Sequence, residues 1–129
     1  MTLLAVTVLG HDRPGIIAET AGVLAELGAN LEDSTMTILR GHFAMVVVAT
    51  AEVTPAEAED ALRSLSADGS LQVTVREIPY EDPAAVRRST YLLSVHGGDR
   101  PGIVATVSSV VAEAGGNITD LSTRLSGDL

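Results

Sequence analysis

The chain predicts an α+β fold in which an antiparallel sheet carries helices on one face, and in which that arrangement is used in tandem. Three observations lead there. Short β-rich runs alternate with segments of helical spacing. One stretch of sequence returns 87 positions later, Val8 onto Val95. The residues are 46% apolar, yet Phe43, Tyr80 and Tyr91 are the only aromatics. A core therefore forms, and it has to be built from Val, Leu, Ile and Ala, which suit thin layers of strands and helices.

Each element follows from its own pattern. Thr2 to Leu9 is β-rich and continuously apolar, as a central strand requires. Gly10-His-Asp-Arg-Pro-Gly is a turn that opens a helix, with Pro14 placed in the first turn, where its missing N–H goes unused. Ile16, Ile17, Thr20, Val23, Leu24 and Leu27 then recur at helical spacing, and Gly28 supplies a left-handed cap. Leu31 to Leu39 and His42 to Thr50 read as strands joined at Arg40-Gly41. Thr54-Pro55-Ala56-Glu57 marks a second helix: a Thr cap, Pro at the first helical position and Glu three residues after the cap. Ala58, Ala61, Leu62 and Leu65 form its apolar face. Leu71, Val73 and Val75 alternate with polar residues as a strand buried on one side. The order β-α-β-β-α-β is that of a ferredoxin-like sandwich.

The repeat sets the organisation of the chain. Val8-Leu-Gly-His-Asp-Arg-Pro-Gly-Ile-Ile-Ala answers Val95-His-Gly-Gly-Asp-Arg-Pro-Gly-Ile-Val-Ala without a gap. Gly28-Ala-Asn falls on Gly115-Gly-Asn, and Asp33 falls on Asp120. The first unit is expected over residues 1–78, a polar linker with two prolines over 79–88, and a second unit over 89–129. That second unit holds only the β-α-β portion. It is expected to be either cut short in this sequence or completed by another chain, the former being favoured because half a sandwich leaves a helix face uncovered.

Composition removes several classes of function. The formal charge is −9, and all eight basic residues are arginine. An acidic surface repels phosphate backbones and anionic membranes, so neither nucleic acid nor membrane is an expected partner. Cysteine is absent, which excludes disulfides, thiolate catalysis and cysteine-ligated metals. The histidines do not recur between copies: His11 falls on Gly98 and His96 on Leu9. No metal site and no cofactor are expected. Gly10-x-x-x-x-Gly15 lacks the Lys-Ser/Thr of a phosphate loop. No secretory signal and no run of transmembrane length is visible, and the expected location is the cytoplasm.

Asp-Arg-Pro-Gly-Ile between a first strand and a first helix, followed by Gly-x-Asn at the opening of the next strand, resembles an ACT domain. Two such units with nothing else resemble tandem-ACT proteins of the glycine cleavage system transcriptional repressor family. The resemblance implies a non-enzymatic regulatory module that binds an amino acid or related small metabolite and modulates a protein partner. It also implies a homo-oligomer, with ligand held between the strand–helix turn of one unit and the second strand of its neighbour. Carried onto this chain, the turn positions are Asp12, Arg13, Pro14, Gly15 and Ile16, with Asp99, Arg100, Pro101, Gly102 and Ile103 in the second copy. The strand-opening positions are Asn30, Leu31, Asn117 and Ile118. Formyltetrahydrofolate deformylases begin with a unit similar to the first copy, so a metabolic-enzyme fragment is an alternative. A ligand-free assembly module is another.

The residue types suit a zwitterion. A helix start presents unpaired N–H groups and partial positive charge, which hold a carboxylate without a lysine. Gly15 and Gly102 let a ligand approach the backbone. Asn30 and Asn117 offer donors and acceptors together, and Asp33 and Asp120 could neutralise an ammonium. A structural reading stands beside each: Asp12 and Asp99 as helix caps, Arg13 and Arg100 as solvated or paired with an acid, Asn30 and Asn117 as turn residues, Asp33 and Asp120 as surface strand residues.

Overall fold

In strand β1 (Thr2–His11), Leu4, Val6 and Val8 are buried while the residues between them are half-covered, so one face of the strand looks into a core. A computed structural model describes residues 1–81, 90–97 and 102–124 of the chain. Helix α1 (Ile16–Glu26) follows β1, then strands β2 (Asn30–Leu39) and β3 (His42–Ala51), helices α2 (Pro55–Ala61) and α3 (Arg63–Ser66), and strand β4 (Leu71–Glu77). The sheet order is β2-β3-β1-β4, and every neighbouring pair is antiparallel. This is the ferredoxin-like order. β1 is a central strand, as its continuous apolar character predicts.

The helices cover one face. Ile16, Thr20 and Leu24 of α1, with Ala58, Leu62 and Leu65 of the second helical region, close over Leu4, Val6, Val8, Phe43, Val47 and Leu71. Each large aliphatic side chain taken fully out of water contributes roughly 1.5–3 kcal/mol. Thr20 is the polar residue in this layer, and its hydroxyl donates to the Ile16 carbonyl at 2.8 Å. The other sheet face carries no helix of this unit.

Three boundaries and the burial of one residue differ from expectation. β1 runs on through Gly10 to His11, because His11 N–H donates to the Ser70 carbonyl at 3.1 Å and keeps the chain in the sheet. Pro14 lies before the helix rather than inside its first turn, since Gly15 is the N-cap at φ 91°. The second helix is interrupted at Leu62 (φ −88°, ψ 5°), a buried side chain whose backbone leaves helical geometry. Ile17 is 49% exposed, outside the core stripe to which its spacing assigned it. The Thr54–Glu57 capping box is formed in full, with Glu57 N–H donating to the Thr54 hydroxyl at 3.1 Å and Thr54 N–H to the Glu57 carboxylate at 3.0 Å.

Two compact units divide the chain, Met1–Arg87 and Arg88–Leu129. The second contains helix α4 (Ile103–Glu113), which repeats α1 in detail. Gly102 is its N-cap at φ 85°, as Gly15 is at 91°. Both helices end in the same motif. Gly28 N–H donates to Ala25 O and Ala29 N–H to Leu24 O; Gly115 N–H donates to Ala112 O and Gly116 N–H to Val111 O. The strands expected on either side of α4 are not formed over 90–97 or 116–124. In the first unit β1 and β2 never pair with each other; both pair with β3. No residue of α4 is buried.

Candidate functional site

The β1–α1 turn is held from two sides. Asp12 N–H donates to the Gly41 carbonyl at 3.0 Å, and the preceding His11 N–H is bonded to Ser70. Gly15 then turns the chain into the helix with positive φ. An added Cβ there would meet no atom within 4 Å, so the glycine is required by backbone conformation rather than by crowding. The first intrahelical bond is Glu19 N–H to Gly15 O at 2.9 Å, and no side chain caps the helix. The amides of Ile16, Ile17 and Ala18 therefore precede the hydrogen-bonded ladder and point toward the turn.

The residues that bear these amides line an open groove of about 520 Å³ on the helix side of the sheet. Asp12, Arg13 and Gly15 form one end, Ile16 to Ala18 one wall, and Met36, Ile38 and Phe43 of β2 and β3 the other. The site pairs a polar, partially positive end with an apolar wall, suiting a small anionic or zwitterionic molecule with an apolar portion. Arg13 does not extend freely into it. Its guanidinium meets the Glu19 carboxylate at 3.1 Å, with the two side chains 35% and 37% exposed. Glu19 is replaced by Thr106 in the repeat, so this pair belongs to the first copy.

Of the residues singled out in sequence, Asp12, Arg13, Gly15 and Ile16 line the groove and Pro14 shapes the turn beside it. Asp12 does not cap the helix; its ordered contact is through its backbone. Asn30 and Leu31 lie elsewhere. Asn30 pairs with Thr50, which pairs with Leu3, whereas Leu39 pairs with His42, which pairs with His11. Eight strand residues, about 27 Å, separate these two ends of the sheet. The Asn30 amide donates to the Glu32 carboxylate at 3.0 Å. Asp33 lies on the face away from the helices, opposite Val48 and beside Thr35 and Val46. In the second copy Gly102 and Ile103 open α4 as Gly15 and Ile16 open α1. Asn117 and Ile118 follow that helix outside any strand. Asp99, Arg100 and Pro101 lie outside the described residues.

Sequence reasoning missed Ile17, Ala18, Met36, Ile38 and Phe43 as groove residues. The alternation Ser34, Met36, Ile38 held the signal, because it places two large apolar side chains on the helix side of an edge strand whose ten residues are all exposed. It also missed that β pairing sets His11 opposite His42, with ring centroids 6.0 Å apart, edge to face. Among the described residues, no group of three or more His, Asp or Glu side chains could hold a metal ion.

Two profiles described as ACT domain match the chain, one over residues 2–76 and one over 91–128. The chain belongs to the ACT domain family, a family of regulatory domains, and carries it in tandem. A UPF0237 protein of Methanopyrus kandleri is 56% identical over 48 residues, 37% of this chain and 53% of that one. A UPF0237 protein of Methanosarcina mazei is 35% identical over 78 residues, 60% of this chain and 84% of that one. The chain spans about half the length of the first curated relatives it matches. Among solved structures, an unknown protein from Galdieria sulphuraria is 28% identical with a TM-score of 0.69, over 92% of this chain and 68% of that one. A structure assigned as a glycine cleavage system transcriptional repressor superposes with a TM-score of 0.66 at 17% identity, covering 98% and 74%. A formyltetrahydrofolate deformylase from Pseudomonas syringae shares the fold over 28% of its length, with a TM-score of 0.54 at 17% identity. No described helix is long and apolar enough to cross a membrane.

Proposed function

We propose that this protein is a cytoplasmic regulatory sensor that binds an amino acid or related small metabolite between paired ACT units and passes the signal to a protein partner, without chemistry of its own. The observation that carries the reading is the groove at the start of α1. Ile16, Ile17 and Ala18, whose amides lie outside the helical ladder, line one wall, and Met36 and Ile38 line the apolar wall across from it. A carboxylate belongs at the amides, and an apolar side chain belongs on the wall.

The separation of the two half-sites supports pairing. Gly15 and Asn30 stand at opposite ends of the sheet, so one unit cannot close both around one small molecule. Two units set edge to edge along antiparallel β2 strands bring the Asn30 end of each to the groove of the other. Such a seam forms two sites related by a twofold axis.

The test is calorimetric titration of the chain with each common amino acid, alongside thermal melting. Binding at a ligand concentration of 100 times Kd adds about 2.7 kcal/mol of stability, so the effective ligand raises Tm. Ile17→Arg, which places a long charged side chain on the exposed wall, is expected to abolish that rise while leaving the ligand-free Tm close to wild type. Absence of heat and of any Tm shift across the panel overturns the reading and favours a ligand-free assembly module. The deformylase likeness is confined to about a quarter of that enzyme's chain, and supports the regulatory unit rather than the reaction.

A further inference from the structure

The sheet face of the first unit opposite its own helices has a charge pattern that the ligand reading does not use. Register pairing places Asp33, Val48, Ala5 and Arg76 in one row across the four strands: Asp33 opposite Val48, Val48 opposite Ala5, and Ala5 opposite Arg76. The next two rows are Thr35, Val46, Thr7, Thr74 and Thr37, Ala44, Leu9, Gln72. In these three rows of a chain of net charge −9, the charges are one acid on the β2 edge and one arginine on the β4 edge. Glu32, at the bulge between Leu31 and Asp33, reaches the Thr50 hydroxyl at the border of the same face. The middle is apolar and open: Val46 is 42% exposed and Leu9 47%. Asp33, Thr35, Val46 and Val48 border a shallow hollow of about 130 Å³.

We infer that this face stacks on the same face of a second copy of the chain, about a twofold axis parallel to the strands that runs between β3 and β1. That axis exchanges the two edges of the sheet and keeps each row in register with itself. Asp33 of each copy then faces Arg76 of the other, giving two ion pairs at the rims. Val48 faces Ala5, Val46 faces Thr7, and Ala44 faces Leu9, so larger side chains meet smaller ones. Stacked sheets lie about 10 Å apart, a gap that an arginine and an aspartate span together. A partner of unrelated sequence has no reason to offer charges of opposite sign at this spacing, whereas the face offers them to itself. The stack is independent of β2-edge pairing, because it uses the sheet surface rather than a strand edge.

Sedimentation equilibrium of the full chain tests the stack through charge exchange. Asp33→Arg and Arg76→Asp are each expected to raise the dissociation constant of one association step at least tenfold, by placing like charges opposite each other. The double variant Asp33→Arg with Arg76→Asp is expected to return it to within threefold of wild type. Assembly through the β2 edges, or burial of the face by residues 88–129 of the same chain, gives no such rescue. A monomeric wild type, single variants that associate like wild type, or a double variant no better than the singles each overturns the inference. Both residues are exposed; should a single variant nonetheless fail to fold, cross-linking decides. The chain has no cysteine, so a short bismaleimide should join Thr35→Cys chains to Thr74→Cys chains in preference to like with like, because the axis brings only the unlike pair together across the stack. Products in the random proportion, the mixed one about twice each like one, overturn the stack.

Discussion

Asp12 N–H donates to the carbonyl of Gly41 across 3.0 Å, so the turn that opens α1 is tied to the tip of the β2–β3 hairpin. At that tip Arg40 has φ 49° and Gly41 φ 80°, the pair of left-handed residues that a two-residue hairpin loop requires. The groove is thus positioned by a hairpin as well as by its own helix.

Arg40 occupies that conformation at a cost, because its Cβ crowds the following carbonyl. Arg40→Asn is expected to stabilise the first unit by about 1 kcal/mol, since asparagine adopts the left-handed region more readily. Urea denaturation measures the change. A loss of stability would show that Arg40 makes a compensating contact.

Gly10 is required by crowding. A Cβ on Gly10 would fall 2.1 Å from the Ser70 carbonyl and 2.9 Å from the Leu71 Cα, both backbone atoms of the neighbouring strand and its approach. Gly10→Ala is expected to cost about 1–3 kcal/mol and to disturb the groove through His11 and Asp12. The equivalent Gly97→Ala, where a Cβ meets nothing within 4 Å, should leave the melting temperature unchanged.

The capping box predicts an acid limb. The Thr54 amide and then the Thr54 hydroxyl hold the Glu57 carboxyl below its ordinary value of 4.5. The Ser70 hydroxyl and amide, with a smaller contribution from the Arg13 charge, hold Asp68 below 3.8. A carboxyl whose folded pKa is depressed stabilises the fold above its unfolded value, and that contribution disappears as pH falls through the folded one. Tm should therefore decline as pH drops below these ordinary values, and Glu57→Gln should flatten the decline because glutamine accepts the same bond without titrating. Thr54→Ala should cost about 1 kcal/mol at neutral pH. A Glu57→Gln profile parallel to wild type would refute the assignment.

The Arg13–Glu19 pair is more than a third exposed at its acidic end, and solvent weakens such pairs. Glu19→Gln is expected to lower stability by about 0.5 kcal/mol or less, a difference that about 1 M salt should remove. A salt-independent loss well above that would mean that Glu19 packs as well as pairs.

Much of the first unit was legible in the residues. The Thr54-Pro55-Ala56-Glu57 cap, the Arg40-Gly41 turn and the Gly28 helix end are local signals, each satisfied by atoms within a few residues of itself. The repeat likewise foretold α4, whose Gly102 start and Gly115 end copy those of α1. The strands around α4 were not obtained, because a strand needs a partner supplied by distant sequence. Ile17 fits the helical stripe by spacing alone, yet it is exposed because its side of α1 overhangs the edge strand rather than the centre of the sheet.

By itself the sequence determined which segments of the first unit become strands and helices and most of the side chains that enter its core, since periods of two and 3.6 are properties of the local backbone. Tertiary structure alone decided that Gly15 and Asn30 stand at opposite ends of one sheet, and that Asp33 and Arg76 share a row. Hydrogen-bond register between strands joins residues far apart in the chain, and no local pattern specifies that pairing.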